Sequence, residues 1–150
     1  MKRMLAVLGG LALVALPAAH GARMGMMGAD NVSVERHRYV MHNGIGAEYA
    51  GRVSPLSPTD ANLQAGGRTY EQYCLSCHGP SGRGDGPAAQ GLTPPPGNIA
   101  AVVRMPMATD GYLYWTVAEG GVPLGTAMPP FGDVLSEREI WQLIVYLRTL

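Results

Sequence analysis

The sequence predicts an all-α fold in which short helices are joined by long loops rich in glycine and proline. Three segments repeat apolar residues at helical spacing and carry helix start or stop signals. The chain holds 21 glycines and 12 prolines, which favours many turns. No stretch alternates apolar and polar residues with period two over a useful length. With 150 residues, 47% of them apolar and 15% charged, the chain is suited to one modest globular domain and not to a disordered state.

The first 21 residues have the pattern of a secretory signal peptide. Lys2 and Arg3 form a charged start, residues 4–16 form an apolar run, and Pro17 ends it before a stretch of small residues. Thirteen apolar residues are short against the roughly 20 that span a bilayer, which favours cleavage after Gly21 over an uncleaved anchor. We therefore expect an exported, periplasmic protein, with membrane association through a partner or an uncleaved segment as the alternative.

Residues 22–59 are predicted to form an extended N-terminal arm. Glycine and proline recur through this segment, and its apolar periodicity is weak. Residues 39–41 (Tyr-Val-Met) have the composition of a short strand. The arm is expected to pack along a domain at residues 60–150 without a core of its own.

The first helix of the domain is predicted to begin near Thr59 or Asp60, either of which can cap it. Gly66 and Gly67 leave one face of this helix thin, which indicates that another helix crosses it closely. The chain from residue 79 to 97 is then a loop dense in glycine and proline.

Two further helices are predicted toward the C-terminus. One is capped by Thr109 and stopped by Gly120. The last begins with a capping box, Ser136 with Glu139 three residues later. It carries one buried apolar stripe, formed by Ile140, Leu143, Ile144 and Leu147.

Charge and composition limit the function classes. After residue 21 the chain keeps nine arginines and no lysine against eleven acidic residues, a net charge of −2. Attraction to phosphates needs a clustered basic face, so we expect no nucleic-acid binding. Phenylalanine occurs once, so the core needs some other large apolar body to close around.

Cys74, Cys77 and His78 form the decisive pattern, Cys-x-x-Cys-His. Two thiols at this spacing reach the two vinyl groups on one edge of a haem, and the adjoining imidazole reaches its iron. Three alternatives compete. A thioredoxin-type pair lacks the surrounding βαβ pattern, and a disulfide would close too small a loop to stabilise much. A zinc site needs four ligands, and only His37 and His42 remain to complete one. The pattern therefore predicts one haem c, attached through both cysteines.

The sixth ligand of the iron decides the function, and methionine is the expected residue type. Seven methionines follow residue 21. Met128 precedes two prolines in a loop before the last helix, and such a stiff loop holds a thioether in place with little loss of entropy. Met105 and Met107 are the reserve candidates, and any methionine near a haem can also be simple packing. Position alone favours Met128.

Residues 60–150 resemble the bacterial, periplasmic branch of the monohaem class I cytochrome c family. Members have the pattern Gly-x-x-x-Tyr-x-x-x-Cys-x-x-Cys-His-Gly near the start of the domain and Met-Pro before the final helix. The resemblance covers about three fifths of the chain. It implies the class I cytochrome c fold, with the Gly66/Tyr70 face of the first domain helix crossing the Leu143/Tyr146 face of the last. The matching positions are Gly66, Tyr70, Cys74, Cys77, His78, Gly79, Gly82, Gly84, Asp85, Gly86, Pro87, Met128, Pro129 and Phe131.

The resemblance also implies the iron ligands and several neighbours of the haem. It implies His78 and Met128 as the axial pair. The carbonyl of Pro96, one of three consecutive prolines, is expected to accept the free N–H of His78. Trp115 and Tyr112 are expected beside the haem edge, with ordinary core packing as the alternative.

Other residues carry weaker predictions. Arg104 is expected to pair with a haem propionate, with a plain surface role as the alternative. His37, Met41 and His42 in the arm could bind copper or replace an iron ligand, although packing and solvent contact are the simpler interpretation.

These patterns together predict electron transfer. A haem with protein ligands on both sides does not readily bind oxygen or peroxide. We expect a one-electron carrier or the haem subunit of a respiratory or periplasmic oxidoreductase complex, with redox proteins as partners and no small-molecule substrate. The arm and the missing lysines favour the subunit, with docking that depends weakly on salt. The alternative is a haem enzyme or ligand-binding cytochrome with a labile sixth ligand, although no acid–base pair is visible near the motif.

Overall fold

A computed structural model describes residues 33–150, so the signal-peptide prediction and residues 22–32 of the predicted arm lie outside the described residues. All regular structure between residues 33 and 150 is helical, which confirms the all-α prediction. None of these helices is long and apolar enough to cross a membrane. The α-helices are α1 (Val34–Asn43), α2 (Ala47–Ala50), α3 (Asp60–Tyr73), α4 (Leu75–His78), α5 (Ile99–Val102), α6 (Asp110–Glu119) and α7 (Glu137–Leu147), with 3-10 turns at Pro87–Ala89 and Val122–Leu124.

The three predicted helices begin at the predicted caps. The hydroxyls of Thr59 and Thr109 each accept a hydrogen bond from a backbone N–H in the first turn of α3 and α6. In α7 the Ser136 hydroxyl accepts from the Glu139 N–H at 3.3 Å, and the Glu139 carboxylate accepts from the Ser136 N–H at 2.8 Å, which completes the capping box. Gly120 follows α6 with a φ of 66°, a backbone conformation that favours glycine.

Helices α3 and α7 cross where the glycine face of α3 is thinnest. A Cβ added to Gly66 would collide with the backbone carbonyl of Gln142, so only glycine permits this approach. One turn later the rings of Tyr70 and Tyr146 pack with their centroids 5.4 Å apart. The predicted crossing of these two helices is therefore confirmed, and it forms one wall of the core.

The described part of the arm, residues 33–59, is not extended throughout, because it contains α1 and α2. The strand prediction for residues 39–41 was wrong, because they lie within α1. Ser33 caps this helix by accepting from the Arg36 N–H at 3.3 Å, and Gly44, with a φ of 70°, ends it. The Tyr39 ring stacks on Trp115 at 5.9 Å, so contacts with α6 hold α1 although its own apolar periodicity is weak.

Candidate functional site

The Cys-x-x-Cys-His segment lies at the junction of two helices. Cys74 ends α3 and begins α4, a single helical turn that finishes at His78. The N–H groups of Cys77 and His78 donate to the Cys74 carbonyl at 3.2 and 2.9 Å. This turn brings all three side chains to the wall of one cavity, and both thiols are free in the structure. The spacing of the motif therefore places both thiols and the imidazole close together, as the sequence predicts.

The thiol of Cys74 is in the wrong electrostatic state for a thioredoxin-type redox pair. Burial, followed by the neighbouring Cys77, raises the pKa of Cys74 to about 12. Redox-active cysteines need a lowered pKa, because the thiolate is the reacting form. The side chain is instead kept as a neutral thiol against an apolar cavity.

His78 is fixed by a hydrogen bond between its Nδ1 atom and the carbonyl oxygen of Gly97, at 3.0 Å. A carbonyl oxygen has no proton to give, so Nδ1 donates and Nε2 keeps the lone pair that binds a metal. Burial lowers the pKa of His78 and outweighs the opposing effect of the hydrogen bond, which leaves the imidazole neutral at pH 7. The ring is therefore both oriented and in the protonation state that a metal ligand requires.

The prediction that Pro96 supplies this carbonyl was wrong by one residue. The Pro96 carbonyl oxygen faces Gly84 so closely that a Cβ added there would collide with it. The next carbonyl along the chain, that of Gly97, is the one that reaches His78. Pro96 itself lines the cavity.

The cavity has a volume of about 390 Å³, within the usual range of cofactor and ligand sites. His78, both cysteines and Met128 all lie on its wall, so the structure brings together the residues that the sequence singled out. The rest of the wall is largely apolar, and its apolar residues include Leu92, Ile99, Val102, Leu113, Val117, Phe131, Leu143 and Leu147.

Met128 lies in a loop that is hydrogen-bonded to the end of α6. The Gly121 N–H donates to the Met128 carbonyl at 2.8 Å, and the Phe131 N–H donates to the Val117 carbonyl at 3.1 Å. These bonds fix the backbone on both sides of the thioether. Neither Met105 nor Met107 is among the described residues that line the cavity. The sulfur of Met107 lies 3.3 Å from Nδ1 of His37.

Trp115 does not lie where the resemblance implies. Four residues of α6 line the cavity: Tyr112, Leu113, Thr116 and Val117. Trp115 is not among them and lies on the neighbouring face of the helix. Its indole stacks on Tyr39 of α1 instead. Arg104 is also absent from the cavity wall among the described residues, because its guanidinium donates to backbone carbonyls at residues 100 and 150.

The histidines of the arm build no metal site. Between residues 33 and 150 there is no cluster of three or more histidine, cysteine or acidic side chains that could hold a metal ion. Met41 is 69% exposed, and His37 and His42 are exposed as well. The alternative of a zinc or copper centre therefore has no support in the described part of the chain.

Among the described wall residues that sequence reasoning did not single out, Arg36 of α1 is the one that carries a charge. Its side chain is buried, only 5% exposed, and lines the same cavity as His78 and Met128. The guanidinium lies over the Trp115 ring, 4.9 Å from its centroid. The only available signal was Ser33, three residues earlier, which could have predicted the start of a helix. Nothing in the sequence indicated that the arginine would be buried.

Comparisons with known proteins show what this chain is similar to. Residues 61–147 match the family described as cytochrome c oxidase, cbb3-type, subunit III. Among solved structures, the chain is similar to a chain of the reducing HAO-like protein complex of Kuenenia stuttgartiensis, with 33% sequence identity and a TM-score of 0.54. The similarity covers 63% of this chain and 46% of that one, so this chain spans about half the length of its structural relative. A search of curated proteins found no match.

Proposed function

Because the chain belongs to the family of cytochrome c oxidase, cbb3-type, subunit III, a family of c-type cytochrome domains, we propose that it transfers single electrons through one covalently attached haem c. The observation that carries this proposal is that Cys74, Cys77, His78 and Met128 lie together on the wall of one largely apolar cavity. Two thiols, an imidazole and a thioether are the donor set of a His/Met c-type haem.

The described residues fit a haem on three counts. The wall is apolar, as the faces of a porphyrin require. The two thiols are unpaired and lie on that wall. The imidazole of His78 is neutral, and its Nδ1 proton is engaged by the Gly97 carbonyl. A haem also supplies the large apolar body that a core with a single phenylalanine needs.

Each residue of the site has a defined role in this proposal. The thiols of Cys74 and Cys77 each add their S and H across one vinyl C=C bond, so two thioethers form and no atom is lost. Nε2 of His78 and Sδ of Met128 would hold the iron. When bound, the haem supplies an iron that accepts one electron from a donor redox centre and gives it to an acceptor redox centre.

The protein then controls what can reach the iron. With both His78 and Met128 bound to the iron, oxygen and peroxide would have no open site. The apolar wall excludes water, and a thioether ligand raises the reduction potential relative to a second histidine. The site is therefore suited to electron transfer and not to substrate chemistry.

The chain acts in the periplasm, as a carrier or as the haem subunit of an oxidoreductase complex. The similar Kuenenia stuttgartiensis chain belongs to a protein complex, which supports the subunit role. The absence of lysine after residue 21 also supports it, because a lysine-free surface lacks the mobile charges that steer a diffusing carrier. The partners are redox proteins with one-electron centres.

The test compares Met128→Ala with Met105→Ala, a methionine outside the cavity wall, in protein that is exported and matured in a bacterial host. The wild-type holoprotein should have the mass of the polypeptide plus one haem after denaturation. Its ferric form should show the long-wavelength charge-transfer band of methionine–iron coordination, and its reduced form should not bind carbon monoxide. M128A should lose the band, bind carbon monoxide and have a lower reduction potential, whereas M105A should keep all three properties.

Two results would separate the parts of the proposal. A purified protein that holds no haem after denaturation would overturn the attachment and the function together. A haem-loaded M128A with an unchanged spectrum would leave the attachment intact and show that another group is the sixth ligand.

A further inference from the structure

Arg36 is the one charged residue among the described residues that line the cavity, and it lies outside the part of the chain that matches the family. Its Nη2 atom donates to the Gly120 carbonyl at 2.7 Å. Its Nη1 atom is buried and has no hydrogen-bond partner. The two ion pairs of the described residues join Arg52 to Glu137 and Arg148 to Asp110, so neither of them neutralises Arg36.

A buried guanidinium in this state lacks a counter-charge. Arginine stays protonated in proteins, so burial does not remove the charge by loss of a proton. One carbonyl, one thioether sulfur and one aromatic ring satisfy only part of its five N–H donors, and an unpaired buried charge is strongly destabilising. The cavity is therefore complete only when its occupant places an anion against Nη1.

Polar groups gather around the same guanidinium. Tyr112 lines the cavity and is close enough to interact electrostatically with Arg36. The Thr126 hydroxyl also lines the cavity and lies beside Gly121, as does Nη2 of Arg36. A largely apolar wall thus carries a cluster of polar groups from three different segments of the chain.

We infer that Arg36 binds a carboxylate of the cavity's occupant, and that helix α1 is therefore part of the cofactor site. This inference rests on the proposed haem function, because the propionates are the only anionic groups of a haem. A carboxylate accepts two parallel hydrogen bonds from a guanidinium, and this pairing suits an apolar surrounding in which charge-assisted bonds are strong. Arg36 takes the role that was predicted for Arg104 from the sequence.

The same guanidinium also contacts the loop that holds the thioether. Nη2 of Arg36 lies 4.0 Å from Sδ of Met128 and donates to the carbonyl of Gly120. The next residue, Gly121, donates its backbone N–H to the Met128 carbonyl. Arg36 therefore links the propionate side of the site to the methionine loop. Loss of its positive charge stabilises the ferric iron, which carries one more positive charge than the ferrous iron, and lowers the reduction potential.

The test uses three holoproteins: Arg36→Gln, Arg36→Lys and Arg38→Gln. Arg38 is on the same helix and exposed, so R38Q is the matched control. R36Q should keep its thioether-bound haem, but its reduction potential should fall by about 59 mV, the equivalent of a tenfold change in the ferric-to-ferrous ratio of a one-electron couple. The propionate bending mode in the resonance Raman spectrum should shift in R36Q. R38Q should match the wild type in both measurements.

R36K keeps the charge but loses the two-pronged hydrogen bond, so it should recover most of the potential while its propionate mode remains shifted. If R36Q does not yield folded holoprotein, the Raman shift of R36K decides the question. Equal potentials and equal propionate modes in R36Q and R38Q, or an unshifted mode in R36K, would overturn the inference while the haem and its iron ligands stand. A wild-type protein without haem would instead mean that the proposed function has failed.

Discussion

At the scale of single residues, Tyr70 supports the Cys-x-x-Cys-His segment with a buried hydrogen bond. Its side chain is 1% exposed, and its hydroxyl donates to the Gly79 carbonyl at 2.6 Å. Burial raises the pKa of Tyr70, so the phenol stays protonated and remains a donor. This bond fixes the residue that directly follows His78.

Tyr70→Phe should lower the free energy of unfolding by about 1 kcal/mol, because the Gly79 carbonyl loses the shorter of its two hydrogen bonds and keeps only the one from the Gly82 N–H at 3.2 Å. Denaturant unfolding of the holoprotein measures this loss. Tyr73→Phe is the control, since that partly buried ring packs edge-on against Phe131 at 5.8 Å and should tolerate the loss of its hydroxyl better. Equal stability losses in the two variants would contradict a special role for the Tyr70 hydroxyl.

The sequence predicts some residues of the site and not others, for physical reasons. Cys74, Cys77 and His78 can be predicted as site residues because their short Cys-x-x-Cys-His spacing is typical of one kind of site. The partner of His78 is not readable, because the carbonyls of Pro96 and Gly97 are the same chemical group and only the path of the backbone selects one. The burial of Arg36 cannot be predicted from the sequence for a related reason, since it depends on the packing of α1 against residues far along the chain.

At the scale of helices, the crossing of α3 and α7 depends on one glycine of an adjacent pair. A Cβ at Gly66 would collide with the backbone of α7, which cannot move aside without separating the helices. A Cβ at Gly67 would lie 3.3 Å from Cε2 of the Tyr146 ring, a side-chain atom that can shift by a few tenths of an ångström.

Gly66→Ala should destabilise the holoprotein by about 2–3 kcal/mol, because overpacking at this backbone contact forces the two helices apart. Gly67→Ala should be close to neutral, because the better helix propensity of alanine, about 1 kcal/mol, offsets the strain on Tyr146. Thermal or denaturant unfolding of both variants provides the comparison. A G66A protein as stable as G67A would show that α7 can yield at this point.

Local signals were sufficient for the helices that have their own caps and stripes. The caps of α3, α6 and α7 stand where the sequence predicts them, because a hydroxyl that accepts from the first turn is a contact within four residues. Helix α1 was mistaken for extended chain, because its buried face is an arginine and not an apolar stripe. Its stability comes from contacts with Trp115 and Gly120, which no window of the sequence shows.

At the scale of the whole molecule, Asp110 joins three distant parts of the chain. It is the first residue of α6. Its carboxylate accepts a hydrogen bond from the Ser54 N–H at 2.9 Å and forms an ion pair with the Arg148 guanidinium at 2.6 Å. Arg148 in turn donates to the Ala108 carbonyl at 2.9 Å. The segment before α3, the start of α6 and the end of α7 are therefore held by one charge network.

The network makes stability depend on pH in a defined direction. Burial raises the pKa of Asp110, but the hydrogen bonds from Ser54 and Arg148 outweigh it, and the net effect lowers the pKa below its ordinary value. A carboxylate with a lowered pKa in the folded state stabilises the protein above its unfolded-state pKa, about 3.9. That contribution is lost as the pH falls through the folded-state pKa.

Asp110→Asn should therefore lower the free energy of unfolding by about 1–2 kcal/mol at pH 7, because Arg148 loses its counter-charge while Ser54 keeps a neutral acceptor. The difference from the wild type should begin to shrink below about pH 4, the unfolded-state pKa, and should vanish below the lowered folded-state pKa, where the wild-type carboxyl is also neutral. Asp60→Asn is the matched control, since Asp60 is the exposed first residue of α3 and its variant should show a smaller difference. Urea unfolding of the three holoproteins at several pH values measures these differences. A D110N deficit that stays constant from neutral to acidic pH would mean that packing, and not the charge network, holds these three segments together.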